Sequence, residues 1–267
     1  MTKFEKKILD LLTAHRVILA YAVITVLNLY LRKVAVWWNT EGIECYYDGH
    51  THMVQGQLWW LIMRLGMVFP ILPVHFMKWV ATLGDFAMGA AGACVVSKKS
   101  AVRGLVFYAV VLIMPFTLMR GIVWGLTDSL GIACVIAGMM IAGRGHGGKS
   151  GKCEFVWFVL AHVMALLFCP ALVIPFCVEG IVACCKKESK KAGVFACAVL
   201  CVAVVAGVLG IVNGFGFMQG LLGQVNFIKY EALSGTAFGD VKAWALAQAG
   251  NYVLPMVTMG LVRVCDK

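Results

Sequence analysis

The chain has 267 residues, of which 61% are hydrophobic and 13% are charged, and its mean hydropathy is +0.88. A soluble domain is about 45–50% apolar and about 25% charged, so this composition excludes a soluble globular protein and predicts an all-α integral membrane protein. The net charge of +10 comes from short basic clusters beside apolar runs. That pattern indicates loops that face anionic lipid headgroups and does not indicate a nucleic-acid-binding surface.

The first predicted element is an amphipathic segment at residues 1–16, which we expect to lie on the cytoplasmic surface of the membrane. Its apolar residues Phe4, Ile8 and Leu11 recur near helical spacing between charged residues. Apolar runs follow it, and a helix that crosses a bilayer needs about 20 such residues. Eight spans are predicted, at residues 17–38, 76–96, 104–119, 128–143, 155–168, 171–185, 193–213 and 241–262.

The distribution of Lys and Arg predicts the orientation of these spans. With both termini inside, 16 of the 23 Lys and Arg residues lie inside and 7 lie outside, as the positive-inside rule expects. A single long helix kinked at Pro170 and Pro175 is the alternative to the short fifth and sixth spans. It would expose the basic stretch 144–152 or 186–191 on the outside. Charge therefore favours eight spans in one transmembrane domain, residues 17–262, followed by a cytoplasmic tail at 263–267.

In this orientation the outward surface consists of loops at 39–75, 120–127 and 214–240. The first loop contains three carboxylates in the stretch NTEGIECYYDGHTH, which begins at residue 39. They are Glu41, Glu44 and Asp48, and Tyr47 adjoins the last. An ordinary acidic loop would have the same composition. Asp48 with His50 and His52 could also ligate a divalent metal ion, although this grouping lacks an identified further ligand.

The stretch VQGQLWWLIMRLGMVF follows at residues 54–69. It is too short and too polar to span a bilayer comfortably, so the sequence predicts an interfacial helix along the outer surface. Carboxylates above such a helix would suit chemistry on a lipid-linked substrate.

Asp85 and Asp128 lie within or at the edge of predicted spans, where ionisable groups are costly and usually face a cavity or a partner. Asp85 lies inside the second span, and we expect it to pair with Lys78 or with a neighbouring helix in a structural role. Asp128 begins the fourth span. There it, or Thr127, could simply cap the helix N-terminus.

The order of these features resembles the GT-C class of membrane glycosyltransferases, specifically bacterial enzymes of the mannosyltransferase-like type. The resemblance covers roughly residues 12–185. Its most specific part is the turn WGLTDS at residues 124–129, because a Trp-Gly-x-x-Asp-Ser turn or a similar one opens the fourth span in that class. Members of the class are usually longer and have more spans, so the resemblance implies a short or truncated member.

The resemblance implies inverting transfer of a sugar from a polyprenyl-phosphate donor to an acceptor on the extracytoplasmic face of a bacterial cytoplasmic membrane, without a cofactor. A first-loop carboxylate would act as the base on the acceptor hydroxyl. Asp48 is favoured for this role, with Glu44 and Glu41 as competitors. The departing phosphate needs cationic or dipolar stabilisation. The expected substrate-binding residues are Asp128, Arg120, Trp124, Ser129, Tyr47, Arg64 and Lys78, with Arg120 as the main phosphate ligand.

Two other functions fit the sequence. A transport component for a lipid-linked sugar would need a polar path through several spans, yet the first, third and seventh spans contain almost no charged residues. A non-catalytic membrane partner in envelope glycan assembly would use the small-residue run AMGAAGACVV at residues 87–96 to pack against another subunit.

Overall fold

The computed structural model describes residues 15–37, 57–123, 125–144, 151–169, 172–214, 216–218 and 220–221. These residues are predominantly helical and contain no strand, which confirms the all-α prediction for this part of the chain. The main helices are α1 (Arg16–Ala35), α2 (Gln57–Gly66), α3 (Pro73–Val96), α4 (Ala101–Ile113), α5 (Asp128–Arg144), α6 (Gly151–Phe168), α7 (Val173–Cys185) and α8 (Ser189–Val212). A short helix, Pro115–Leu118, and a π-helical turn, Met119–Val123, lie between α4 and α5.

Three of the described helices are long and apolar enough to cross a membrane, over Arg16–Ala35, Val74–Val96 and Ala192–Val212. Large apolar side chains such as Leu27, Leu83 and Leu200 are exposed on them, as expected for surfaces solvated by lipid. These helices indicate a membrane protein. The other apolar helices are shorter. A helix of 13 residues, the length of α4 and of α7, is about 20 Å long and shorter than a hydrocarbon core of about 30 Å.

The predicted eighth span at 241–262, the segment 1–14 and most of the predicted outward loop 214–240 lie outside the described residues. The number of spans and their orientation stay predictions.

The third predicted span is not one continuous helix, which corrects the expectation of a helix over 104–119. Helix α4 ends at Ile113, and Met114 has φ −54° and ψ 128°. The reason is local, because the ring of Pro115 disfavours helical geometry in the residue before it. The chain then forms the π-helical turn Met119–Val123, which contains Arg120. Turns of this kind are frequent at functional sites.

Helices α6 and α7 are separate, so the alternative of one long kinked helix is wrong. The ring centroids of His162 on α6 and Phe176 on α7 are 4.6 Å apart. In a continuous helix, residues this far apart in sequence would be separated by about 21 Å along the axis. The axes of α6 and α7 are therefore not collinear.

The stretch predicted as an interfacial helix contains α2. One face of α2 is buried, since Trp59, Trp60 and Met63 pack with Met77 of α3. The indole Nε1 of Trp59 also donates a hydrogen bond to the backbone oxygen of Gly125, at 3.1 Å. Helix α2 is therefore attached to the bundle beside the start of α5.

Helix α5 packs against α3 and α6, and glycines allow this close approach. A Cβ at Gly131 would lie 2.7 Å from Cβ of Cys169 and 2.8 Å from the backbone oxygen of Ala165. A Cβ at Gly84 of α3 would lie 2.8 Å from Cγ of Leu130 on α5. Small residues bring helix backbones together in this way in membrane proteins.

The close contact at Gly131 predicts that a larger side chain there destabilises the protein. Gly131→Ala is expected to lower the free energy of unfolding by about 1–3 kcal/mol, because the added methyl group overpacks the α5–α6 contact. Thermal unfolding of the purified protein in detergent measures this effect. The matched control is Gly193→Ala in α8, where a Cβ meets no atom within 4 Å and the substitution should be neutral or stabilising. Equal stability changes in the two variants would contradict the packing argument.

Candidate functional site

A buried ion pair joins the end of α1 to the middle of α3. Nη1 of Arg32 lies 2.5 Å from Oδ2 of Asp85, and both side chains are fully buried. The guanidinium also donates from Nε to Oδ1 of Asn28 at 2.9 Å, and from Nη2 to the backbone oxygen of Leu112 at 3.4 Å. The pairing of Asp85 with a neighbouring helix is thus confirmed, and its partner is Arg32. Such extensive hydrogen bonding is what a buried ion pair needs to offset desolvation.

A second ion pair lies at the start of α5. Nε of Arg120 donates a hydrogen bond to Oδ2 of Asp128 at 2.6 Å, and Nη2 of Arg120 pairs with the same oxygen. The side chain of Arg120 is 18% exposed and that of Asp128 is 8% exposed. Asp128 also lies in the first turn of α5, where the helix dipole favours a negative charge. Its carboxylate therefore complements the helix N-terminus and orients the arginine.

The two ion pairs are joined through Asp85. The hydroxyl of Ser129 donates a hydrogen bond to Oδ1 of Asp85. Gly121 lies against the same carboxylate, so closely that a Cβ at position 121 would collide with Oδ2 of Asp85. Both residues adjoin a partner of the second pair, since Gly121 follows Arg120 and Ser129 follows Asp128. The two ion pairs thus form one polar cluster, which we call the double ion pair (Arg32–Asp85 and Arg120–Asp128). Its side chains come from α1, α3 and the 119–129 turn, and α4 contributes a backbone oxygen.

No family model, curated protein or solved structure matches this chain. The likeness to the GT-C class therefore rests on the quoted residues alone.

The structure brings three predicted site residues together: Arg120, Asp128 and Ser129. Lys78 is fully buried, and its Nζ donates to the backbone oxygen of Val36 at 2.9 Å, so it links α3 to the end of α1. Arg64 donates to the backbone oxygens of Val212 and Asn213, at 3.3 and 2.6 Å, so it contacts the end of α8. The remaining predicted site residues lie outside the described residues; they are Glu41, Glu44, Tyr47, Asp48 and Trp124.

Thr127 contributes a tertiary contact. Its hydroxyl donates to the backbone oxygen of Phe168 at 3.3 Å, which attaches the start of α5 to the end of α6. The side chain at this position therefore reaches the neighbouring helix, and its capping role stays a prediction.

Sequence reasoning missed Arg32 and Asn28 as members of the cluster. Arg32 lies near the end of an apolar run and was assigned to the outward-facing charges. The available signal was the four-residue spacing from Asn28 to Arg32, which places the two side chains on one helix face. That spacing indicates contact within α1. It does not identify Asp85 as the partner on another helix.

Within the described ranges, no group of three or more His, Cys, Asp or Glu side chains could hold a metal ion. The alternative metal ligands Asp48, His50 and His52 lie outside those ranges. The double ion pair can supply electrostatic stabilisation. Arg120 is a planar cation with several donors, fixed by Asp128 and partly exposed beside a helix N-terminus. These are properties of a phosphate-binding arginine.

Proposed function

We propose that this chain is a membrane glycosyltransferase of the GT-C type. It transfers a sugar, with inversion, from a polyprenyl-phosphate donor to an acceptor on the extracytoplasmic face of a bacterial cytoplasmic membrane. The observation that carries the proposal is the Arg120–Asp128 pair at the start of α5, because it combines a fixed, partly exposed guanidinium with a helix N-terminus. Both features favour an anionic phosphate oxygen.

In the proposed reaction the acceptor oxygen forms a bond to C1 of the sugar while the bond from C1 to the phosphate oxygen breaks. The electron pair of the breaking bond goes to the lipid phosphate, whose negative charge grows in the transition state. A cation already fixed in a site of low dielectric stabilises that charge without reorganising. Arg120 has this role, and Asp128 orients it.

The acceptor hydroxyl loses its proton to a carboxylate of the first outward loop, for which Asp48 is favoured over Glu44 and Glu41. Support comes from the two described ends of that loop. At one end, the backbone oxygen of Val36 accepts a hydrogen bond from Lys78 of α3. At the other end, Trp59 donates to Gly125 in the turn before Asp128. Both ends are thus attached to elements that carry the double ion pair.

The proposal includes eight spans with both termini inside. Support for this orientation is the excess of Lys and Arg in the loops that would face the cytoplasm. In the same orientation the start of α5 points to the extracytoplasmic side, so the Arg120–Asp128 pair would meet the phosphate of a lipid-linked donor that enters from that side.

The test uses the full chain in lipid nanodiscs that contain polyprenyl phosphate, and a panel of polyprenyl-phosphate sugars as donors. Wild-type protein should bind the lipid phosphate and release it from at least one sugar donor. Arg120→Gln should lower turnover by about 10²–10³-fold, the loss that follows removal of one donor to a developing oxyanion. Arg103→Gln, which changes an exposed arginine in the first turn of α4, is the matched control and should leave turnover unchanged.

Three results would contradict the proposal. Wild-type protein that binds no polyprenyl phosphate has no donor site. Movement of the intact donor between leaflets of a vesicle, without cleavage, would indicate the transport component. Equal turnover in Arg120→Gln and Arg103→Gln would remove Arg120 from the mechanism.

A further inference from the structure

The carboxylate of Asp85 touches the 119–129 turn at two places. Its Oδ1 accepts the hydroxyl hydrogen of Ser129, and its Oδ2 faces Gly121 with no room for a side chain at that position. One contact lies near the start of the turn and the other lies near its end. Each is one residue away from a partner of the Arg120–Asp128 pair.

Asp85 is itself held by groups that do not belong to the turn. Arg32 pairs with its Oδ2 and is bonded in turn to Asn28 of α1 and to the backbone oxygen of Leu112 at the end of α4. Every charged member of this chain of contacts is fully buried. Hydrogen bonds in such an environment are strong and their networks are rigid, so the position of Asp85 is set by α1, α3 and α4 together.

The local bonds of the turn have a different effect. The backbone N–H of Leu126 donates to the oxygen of Arg120 at 2.9 Å, and that of Gly125 donates to the oxygen of Gly121 at 2.8 Å. Gly125 has φ +68°, a backbone conformation that glycine adopts without strain. These contacts close the turn on itself. They do not connect it to α3, whereas the two contacts of Asp85 do.

We propose that Asp85 is a positioning residue, which holds Gly121 and Ser129 at a fixed separation and thereby keeps Arg120 and Asp128 in contact. Its effect on phosphate binding rests on the proposed function. Its effect on the geometry of Arg120 stands on the contacts above and can be measured without any substrate.

The experiment measures the rate at which phenylglyoxal, an arginine-specific reagent, labels Arg120 in the purified full chain, with the modified site identified by mass spectrometry. An arginine held by a carboxylate reacts slowly, because only the deprotonated guanidine nitrogens attack the carbonyl carbons of the reagent and the carboxylate favours the protonated form. Asp128→Asn releases Arg120 directly and sets the upper limit of the rate. Ser129→Ala removes the contact to Oδ1 of Asp85 and leaves the Arg32–Asp85 pair intact. Gly121→Ala places a methyl group against Oδ2, the oxygen that pairs with Arg32, and so disturbs both contacts of that oxygen.

Ser129→Ala is expected to raise the labelling rate of Arg120 by about threefold to tenfold, the effect of losing one hydrogen bond. Gly121→Ala is also expected to raise the rate, because the added Cβ would collide with Oδ2 of Asp85. Ser129→Thr retains the hydroxyl and should return the rate toward that of the wild type. The matched control is Thr82→Val on α3, which removes a buried hydroxyl that donates to the backbone oxygen of Lys78, and it should leave the rate unchanged. Ser129→Ala adds no volume to the core, so its result stands even if Gly121→Ala fails to fold.

The inference is overturned if Ser129→Ala labels Arg120 at the wild-type rate, or if Thr82→Val accelerates labelling equally. Titration of the same samples with polyprenyl phosphate in nanodiscs separates the two proposals. Faster labelling in Ser129→Ala, with no phosphate binding by the wild type, would support the positioning role and contradict the proposed function. Phosphate binding by the wild type, with labelling unchanged in Ser129→Ala, would support the proposed function and contradict the positioning role.

Discussion

Asp85→Ala is expected to lower the free energy of unfolding by about 3–5 kcal/mol, because it leaves the guanidinium of Arg32 buried without a counter-charge. The structure offers Arg32 no exposed alternative, since its side chain is fully buried and its remaining bonds go to Asn28 and a backbone oxygen. Thermal unfolding or titration with a denaturing detergent measures the loss, and a large fall in the midpoint is the expected result.

Two further variants identify the unpaired charge as the cause. The double substitution Arg32→Met with Asp85→Leu removes both charges and should recover most of the loss, since apolar replacements of a buried ion pair are often neutral or stabilising. Thr82→Val removes a buried hydrogen bond one turn away on α3 and should cost about 1 kcal/mol. A double variant that is less stable than Asp85→Ala would contradict this account of the cluster.

Asp48→Asn is expected to lower the turnover of the proposed transferase by about 10²–10⁴-fold, the usual contribution of a positioned general base. The amide has the size of the carboxylate but cannot accept the proton of the acceptor hydroxyl. Binding of polyprenyl phosphate should be retained, because Arg120 and the start of α5 are unchanged. Single-turnover cleavage of a polyprenyl-phosphate sugar, measured beside an equilibrium binding assay, separates the two effects.

Glu44→Gln and Glu41→Gln provide matched comparisons within the same loop. Each changes one carboxylate to its amide, so the variant with the largest loss identifies the base. If all three variants turn over at the wild-type rate with normal membrane insertion, the first loop does not supply the base. A loss of lipid-phosphate binding in Asp48→Asn would instead assign that residue to donor binding.

The helices that the sequence predicted best are those defined by local properties. The predicted spans at 76–96 and 128–143 correspond closely to α3, Pro73–Val96, and α5, Asp128–Arg144. Apolar runs are recognisable one segment at a time, because each helix satisfies its own backbone hydrogen bonds and needs only an apolar environment. The break after Ile113 also has a local cause, since Pro115 constrains the residue before it. The predicted helix over 104–119 was wrong because it followed hydrophobicity and ignored this proline.

The turn at 120–129 was accessible from sequence for a similar reason. Arg120 and Asp128 are ionisable residues at the junction of two apolar runs, and an ionisable group in that position needs a partner. In the structure that partner is the other residue of the two, since Arg120 donates a hydrogen bond to Asp128. Its use in binding a sugar phosphate stays a proposal.

The sequence by itself determined that this is an all-α chain with apolar helices suited to a membrane, because composition and apolar run length are sums over neighbouring residues. Only the tertiary structure decided that Asp85 pairs with Arg32, that Lys78 donates to the end of α1, and that Ser129 and Gly121 meet on one carboxylate. These contacts depend on which helices pack together and on their relative positions along the axis of the bundle. Close packing through small residues such as Gly84 and Gly131 sets that arrangement, and charge alone would have allowed several partners.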